Sequence, residues 1–175
     1  MQQVELDMWV IKAQQGDEKA LLGLFLHYQT QLIHFAYGIT RDRSMAQDAA
    51  QEAWLTIVKN IRRLQETKAF RSWIYRAVRW AALDQLRIAK IYANAVCEQD
   101  VETLTGNEKN QEEGLVATIK QLPHDEYQAI YLFYFAQLSL VEIALIQEVP
   151  VGTVKTRLFR GRNKLKNILE TKNEY

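Results

Sequence analysis

The sequence contains few of the residues that make tight turns, with seven glycines and two prolines among 175 residues. All-β folds need many such turns, so this scarcity disfavours them. The single cysteine, Cys97, excludes an internal disulfide scaffold and a cysteine-rich zinc module. There is no run of about 18 apolar residues, and the N-terminus lacks the basic and apolar stretches of a signal peptide. We therefore expect a soluble, cytoplasmic, mostly helical protein that is not inserted in a membrane.

The net charge of +1 hides two basic windows that are separated by an acidic middle. Residues 59–90 carry nine basic side chains against Glu66 and Asp84, and residues 153–166 carry six with no acid. Residues 96–118, in contrast, have a net charge of −5. Concentrated basic windows in an otherwise neutral protein suggest contact with a polyanion. A single window fits a solvated helix face better, but two windows in two modules favour nucleic acid.

Apolar residues at three- and four-residue spacing predict helices throughout residues 1–92. Asp17 is placed to cap the second helix, because its carboxylate can accept the free N–H groups there. Ser44 with Gln47 predicts a capping box at the start of the third helix. A fourth helix is expected over residues 70–90. The first module is therefore a four-helix unit.

Residues 93–114 lose this periodicity and are polar and acidic, so we expect a flexible linker there. In the second module, residues 115–175, Ser139 with Glu142 predicts a capping box for a short helix. Pro150 then pre-sets the backbone for a longer basic helix. This order is typical of a helix-turn-helix. The predicted fold is all-α, with two small helical domains joined by a flexible linker.

The last helix has an apolar side and an opposite side that suits base contacts. In the major groove, Arg and Lys can donate to guanine edges, and a Thr methyl or an aromatic ring can touch thymine methyls. Four such residues cluster on that side: Lys155, Thr156, Phe159 and Arg160. Four more spread around the flanks and suit phosphate contacts: Arg157, Arg162, Lys164 and Lys166. The alternative is an ordinary amphipathic C-terminal helix.

The fourth helix carries a second candidate surface. One stripe, turned away from the apolar face, contains Arg76, Arg79, Trp80, Leu83 and Arg87. Arginines interleaved with an aromatic ring suit attraction to the backbone and base stacking on single-stranded nucleic acid. The alternative is that Trp80 packs against a neighbouring helix and the arginines are simply solvated.

Four motifs in this order carry a resemblance to a known family. They are DAAQEAW at 48–54, FRSWIYR at 70–76, the pair Leu122-Pro123, and VGTVKTRL at 151–158. Together they resemble a bacterial group IV, or extracytoplasmic-function (ECF), sigma factor of the sigma-70 family. The resemblance covers nearly the whole chain except the linker.

The resemblance implies an alternative sigma factor with sigma region 2 at 1–92 and sigma region 4, a helix-turn-helix, at 115–175. It implies core-polymerase contacts on the helix over 48–59, through Asp48, Gln51, Glu52 and Trp54. It implies recognition and melting of the −10 element by Gln65, Thr67, Lys68, Arg71, Arg76, Arg79, Trp80 and Arg87. It implies reading of the −35 element by Lys155, Thr156, Phe159 and Arg160. The matching contacts to the DNA backbone come from Thr153, Arg157, Arg162 and Lys164.

The partners that the resemblance implies are core RNA polymerase (through its β′ clamp and β flap), promoter DNA and an anti-sigma factor. It implies no cofactor, no metal and no catalysis by the protein alone. Two departures from the family pattern stand out. Trp80 replaces an Asn that many members have, which predicts an unusual −10 preference. Glu148 stands where the turn often has Gly, which predicts a strained backbone with positive φ.

Two other function classes compete with this interpretation. A stand-alone helix-turn-helix regulator would explain residues 139–166, and a symmetric dimer on palindromic half-sites would favour it. It leaves the first module without a role. A small helical enzyme would need convergent titratable groups in a pocket, and the sequence offers none that we can name.

Overall fold

The computed structural model describes residues 3–96 and 118–173, and within these ranges it contains helices and no strand. The all-α prediction is confirmed. The α-helices are α1 (Gln3–Gln14), α2 (Glu18–Thr40), α3 (Arg43–Asn60), α4 (Phe70–Val96), α5 (His124–Ile130), α6 (Leu140–Gln147) and α7 (Val151–Asn173). Two short 3-10 helices, Ile61–Arg63 and Thr67–Ala69, join α3 to α4, and a π-helical segment, Tyr131–Phe135, follows α5.

The boundary of the first module differs from the prediction. Helix α4 continues to Val96, four residues beyond the expected boundary at 92. The remainder of the predicted linker, 97–114, lies outside the described residues. No helix within the described ranges is long and apolar enough to cross a membrane.

Side-chain caps fix where the helices of the first module begin. The Asp17 carboxylate accepts from the N–H groups of Lys19 and Ala20, as predicted. The predicted capping box at Ser44 is wrong, because α3 begins at Arg43 and Asp42 is its N-cap, accepting from Met45 N–H. Both side chains can cap a helix. Asp42 takes the role because α2 ends immediately before it, where Arg41 adopts a left-handed conformation with φ 57°.

The first module is a bundle of α1 to α4 around one apolar core. Its largest fully buried side chains on α2 include Leu24, Leu32 and Phe35. The face of α3 that packs on them is made largely of alanines: Ala46, Ala49, Ala50 and Ala53. Small side chains let α3 pack closely on α2, and this close packing holds the solvent-exposed outer face of α3 in a fixed position relative to the bundle.

The second module places a helix-turn-helix on α5. The predicted capping box is confirmed, with Ser139 accepting from Glu142 N–H and the Glu142 carboxylate accepting from Ser139 N–H. Glu148 ends α6 in a left-handed conformation with φ 58°, as its place in the turn predicted. The apolar side of α7 is buried at Val154 and Leu158, so its opposite side faces solvent.

The two modules pack against each other, with α5 and α6 lying on α2 and α4. Tyr127 Oη donates to the His34 carbonyl at 2.9 Å, and Tyr131 Oη donates to the Gln31 carbonyl at 2.8 Å. The rings of Tyr131 and Phe35 lie 5.4 Å apart between centroids. Both tyrosines are buried. These aromatic side chains therefore form the centre of the contact between the modules.

Candidate nucleic-acid and polymerase interfaces

The exposed side of α7 carries the four residues predicted to contact bases. Lys155, Thr156, Phe159 and Arg160 are all exposed, as expected from the burial of Val154 and Leu158 opposite them. Phe159 is 60% exposed, which is unusual for so large an apolar side chain. This surface can offer charge, a hydroxyl and an aromatic ring to one groove of DNA.

The predicted phosphate-contacting residues differ in their availability. Arg157 is only 18% exposed, and its guanidinium donates to Asp125 Oδ2 at 2.7 Å and to Gln147 Oε1 at 3.1 Å. Lys164 Nζ pairs with the Glu126 carboxylate at 2.7 Å. Both side chains therefore hold α7 to α5.

The other three predicted phosphate contacts lie elsewhere on α7. Arg162 is exposed, with its Nε donating to the Leu158 carbonyl at 3.2 Å. Lys166 is exposed, with its Nζ 3.7 Å from Glu170 Oε1, and Thr153 is half-buried in the first turn of α7. Arg162 and Lys166 are therefore flanking cations whose charge is accessible to a phosphate.

A cavity of about 730 Å³ opens along α4, between α3, α4 and the end of α6. Its walls include the indoles of Trp73 and Trp80 and the guanidinium groups of Arg76 and Arg87. Trp80 is 56% exposed, so the alternative that it packs against a neighbouring helix is not what the structure contains. An aromatic and cationic wall of this kind suits an unstacked base and its backbone.

Three of the predicted −10 arginines contact the second module. Arg71 Nη2 donates to the Gln137 carbonyl at 2.9 Å, Arg76 Nη2 to Glu148 Oε1 at 3.0 Å, and Arg79 Nε to Gln128 Oε1 at 2.8 Å. Burial lowers the pKa of Arg79 below its ordinary value. Arg79 nevertheless keeps its charge, since an arginine pKa starts above 12.

The loop before α4 holds the remaining residues of the predicted −10 surface. Gln65 and Lys68 are exposed, and Thr67 begins the 3-10 turn that leads into α4. Arg87 lies further along α4 and pairs with Asp84 at 2.7 Å, one helical turn earlier. The arginine stripe therefore lies on α4, and the other predicted −10 residues lie in the turn that leads directly into it.

The outer face of α3 exposes Asp48, Gln51 and Glu52, as the predicted polymerase contact requires. Trp54 does not share that face. It is 5% exposed and packs against Phe25, with ring centroids 5.3 Å apart. In this structure Trp54 lies on the core side of α3, about 200° around the helix from Glu52, and supports the exposed face from beneath, so its contact with polymerase stays a prediction.

Two apolar surfaces were missed by the sequence reasoning. Leu55 and Val58 are exposed on the same outer face of α3, 61% and 49% respectively. A groove of about 620 Å³ runs between the π-helical segment and α7, with apolar walls that include Ile130, Phe135 and Leu165. The apolar periodicity of α3 had placed Val58 on the buried stripe, which the structure contradicts, so only Leu55 stood outside the predicted core as a signal for the α3 patch. The groove depends on a π-helical turn that no periodicity predicts.

In the described part of the chain, no three His, Cys, Asp or Glu side chains are grouped so that they could hold a metal ion.

Comparison with known proteins now assigns the two modules. Residues 24–90 match the family model of sigma-70 region 2, and residues 112–165 match that of sigma-70 region 4. The RNA polymerase sigma-H factor of Pseudomonas aeruginosa is 30% identical, with 92% of each chain covered. The ECF RNA polymerase sigma factor SigW of Bacillus subtilis is 30% identical, over 90% of this chain and 93% of SigW.

The chain belongs to the ECF sigma factors of the sigma-70 family. It is an alternative sigma factor, a protein that directs transcription initiation. The region 2 match gives the first module the role that a stand-alone helix-turn-helix regulator would leave empty.

Two solved structures share the fold of this ECF sigma factor. RpoE in complex with the anti-sigma factor NepR, from Bartonella quintana, superposes with a TM-score of 0.71 at 20% identity, over 87% of this chain and 98% of that one. CnrH in complex with the cytosolic domain of CnrY gives a TM-score of 0.68 at 18% identity, over 95% and 98%.

Proposed function

We propose that this sigma factor uses three separate surfaces to start transcription at promoters with −10 and −35 elements. The outer face of α3 binds core RNA polymerase, the arginine stripe of α4 with its preceding loop binds and melts the −10 element, and the exposed side of α7 reads the −35 element. The observation that carries the proposal is the cavity on α4, where two indoles and several arginines face solvent together.

The polymerase contact is assigned to Asp48, Gln51 and Glu52, which project from the outer face of α3. Leu55 and Val58 extend that face with exposed apolar surface. A face that combines charge with apolar area suits a stable protein contact better than a solvated helix. We assign it to the β′ clamp.

The −10 contact needs both attraction to the separated strand and a site that replaces lost base stacking. Arg76 and Arg87 supply charge at the cavity, and Trp73 and Trp80 supply aromatic surface. Because Trp80 offers an indole face and not an amide edge, we expect its recognition to rest on stacking more than on base-edge hydrogen bonds. Gln65, Thr67 and Lys68 lie in the turn that immediately precedes α4.

The −35 contact is assigned to Lys155, Thr156, Phe159 and Arg160 on α7. The turn at Glu148 and Pro150 sets the angle at which α7 leaves α6, and Arg157 with Asp125 ties it to α5. A recognition helix must be held rigidly if its side chains are to meet base edges. Arg162 provides a flanking phosphate contact.

Two further protein partners are proposed. The apolar groove beside the π-helical segment has a lining that suits an amphipathic helix, and we assign it to the β flap of polymerase. An anti-sigma factor is proposed because RpoE, which shares this fold, is bound to the anti-sigma factor NepR in its solved structure.

One experiment separates the three surfaces. Core polymerase reconstituted with the protein is incubated with fragmented genomic DNA, and retained fragments are probed with permanganate for unpaired thymines. We expect Asp48→Ala/Glu52→Ala to lose association with core, Lys155→Ala/Arg160→Ala to lose selective retention, and Arg76→Ala/Arg79→Ala to lose melting only.

Matched controls are exposed charges elsewhere on the first module. Glu18→Ala and Lys12→Ala remove one acid and one base from exposed positions of α2 and α1. They are expected to behave as the unmodified protein. Equal losses in the controls and the surface variants would contradict the assignment.

A further inference from the structure

The segment that joins α3 to α4 contains three of the proposed −10 residues but has few stabilising bonds of its own. It includes two 3-10 helices, Ile61–Arg63 and Thr67–Ala69, and neither has a side chain bonded at its N-cap. Hydrogen bonds in 3-10 helices have poorer geometry than those in α-helices, so such helices stay short. Burial adds little, because none of residues 62–69 is buried. The position of this segment therefore depends on contacts from outside it.

Gln14, in the last turn of α1, supplies two of these outside contacts. Its Nε2 atom donates to the Ile61 carbonyl at 3.0 Å and to the Leu64 carbonyl at 2.7 Å. A primary amide has two N–H donors, so both are used on this one turn. The Ile61 carbonyl also accepts from Leu64 N–H at 3.2 Å. The Gln14 amide therefore closes from outside the same turn that the backbone closes from within.

Gln14 itself lies on a rigid part of the first module. Its neighbours Val10 and Ala13 on α1 are buried against the bundle. The chain then turns into α2, and Asp17 fixes that turn, because its carboxylate caps α2 and its N–H donates to the Lys12 carbonyl at 3.0 Å. A side chain on a packed helix holds its partner more precisely than a contact within an exposed loop does.

A second contact joins the same two parts of the chain. The Arg62 guanidinium lies beside Gly16, in the turn between α1 and α2, where a Cβ would come within 3.5 Å of the Arg62 Nη2 atom. Gly16 has φ 93°, a conformation that glycine adopts readily. The turn between α1 and α2 therefore lies directly against the first 3-10 helix, and Gln14 makes the hydrogen bonds across that contact.

The bond from Gln14 to Leu64 reaches the proposed −10 residues through the backbone. The peptide unit is planar, so the Leu64 carbonyl shares one plane with the N–H and Cα of Gln65. A hydrogen bond that fixes this carbonyl therefore fixes where the side chain of Gln65 begins. Gln65 and Lys68 are exposed, whereas Gln14 is half-buried. Gln14 thus acts on the −10 surface from beneath.

We infer that Gln14 is a positioning residue for −10 recognition. Its amide fixes the turn at Ile61–Leu64 and so sets where Gln65, Thr67 and Lys68 meet the separated strand. The inference rests on the proposed −10 role of these three residues. It gives α1, which has no proposed contact with DNA, a part in the choice of −10 sequence.

The test removes both donors of Gln14 in the full chain. Gln14→Met keeps the length of the side chain and adds no charge, and Gln14→Glu keeps its shape but has no N–H to donate when ionised. Gln15→Met is the matched control, because it makes the same change one residue later, at an exposed position. Each variant is reconstituted with core polymerase on a promoter fragment that the unmodified protein retains and melts, and on copies with single-base changes in the −10 element.

Permanganate reactivity gives the polymerase concentration needed to melt each fragment, and the ratio between altered and original −10 sequences measures base preference. We expect Gln14→Met and Gln14→Glu to lower this ratio by about three- to tenfold, the effect of losing about one hydrogen bond's worth of positioning. Gln15→Met is expected to leave it unchanged. A side chain that served stability alone would reduce the amount of folded protein, and would therefore weaken melting of all fragments by the same factor.

Hydrogen exchange tests the structural step without DNA. The N–H groups of Leu64 and Ala69 bond to the Ile61 and Glu66 carbonyls, at 3.2 and 3.0 Å. In Gln14→Met we expect both groups to exchange about three- to tenfold faster, because the segment opens more often. The N–H groups of α2 are expected to exchange as in the unmodified protein. Unchanged exchange at both positions would overturn the inference.

The −10 assignment and the role of Gln14 fail in different ways. If Gln65→Ala/Lys68→Ala lowers the preference ratio but Gln14→Met and Gln14→Glu leave it unchanged, the inference about Gln14 is overturned and the assignment stands. If Gln65→Ala/Lys68→Ala also leaves melting and preference intact, the −10 assignment of this segment is wrong, and the inference falls with it. Equal weakening on every fragment in Gln14→Met would show a role in stability alone and would also overturn the inference.

Discussion

We expect the free energy of unfolding to fall steeply in alkali, because three tyrosine side chains are buried. Tyr28 and Tyr75 are buried in the first module, and Tyr131 is buried where the second module packs on the first. Burial raises the pKa of Tyr28 to about 12 and raises the pKa values of Tyr75 and Tyr131 further above the ordinary value of 10. Because the folded state holds these protons more tightly than the unfolded chain, the stabilisation is complete below about pH 10 and is lost as pH rises above it.

The magnitude follows from the number of groups. Each such tyrosine lowers the free energy of unfolding by up to about 1.4 kcal/mol per pH unit above the unfolded pKa. The three together approach about 4 kcal/mol per unit. At that slope, a domain at the low end of the usual range, with about 5 kcal/mol of stability, unfolds slightly above about pH 11.

Urea unfolding followed by circular dichroism at a series of pH values from 8 to about 11.5 measures this slope. Tyr75→Phe removes one titrating hydroxyl, so we expect its alkaline slope to be shallower by about 1.4 kcal/mol per unit. Tyr134→Phe is the matched control, because Tyr134 is 49% exposed. Equal slopes for Tyr75→Phe and the unmodified protein would refute the reasoning.

Substitutions at four other positions have definite expected outcomes. Trp54→Ala is expected to lower the free energy of unfolding, measured in urea, by about 3–5 kcal/mol. Trp54→Phe is expected to keep binding to immobilised core polymerase. Loss of that binding in a folded Trp54→Phe variant would show that Trp54 contacts polymerase. Asp17→Ala removes the cap of α2 and is expected to cost about 1 kcal/mol in the same unfolding assay, and no loss would contradict the capping assignment. Arg162→Ala is expected to lower the slope of log binding constant against log salt concentration, for promoter DNA, by about one unit. Arg157→Ala is expected to leave that slope unchanged and to lower the melting temperature, because Arg157 is paired with Asp125. The reverse result would exchange the roles of the two arginines.

Local chemistry made much of the fold predictable. The caps at Asp17 and Ser139 depend on side chains bonding to the nearest N–H groups, which the sequence displays directly. The error at Ser44 arose because two good capping residues lie two positions apart. The apolar periodicity of α7 correctly predicted which side is buried and which is exposed, because helix geometry fixes both.

Contacts between distant parts of the chain could not be predicted in this way. The fit of Tyr127 against Gly38 joins residues 89 positions apart, and no local pattern encodes it. Trp54 belongs both to a polymerase-binding motif and to an apolar stripe, and only its packing on Phe25 decides between them. The ion pair of Arg157 with Asp125 likewise joins residues 32 positions apart, and the charge of Arg157 alone did not predict it.

Run-off transcription on fragmented genomic DNA from the source organism tests the central claim most directly. Added to core RNA polymerase, the protein is expected to give discrete new transcripts that disappear with Asp48→Ala/Glu52→Ala and with Lys155→Ala/Arg160→Ala. No association with core and no transcript, with binding to DNA intact, would contradict the account and favour a regulator that acts without polymerase.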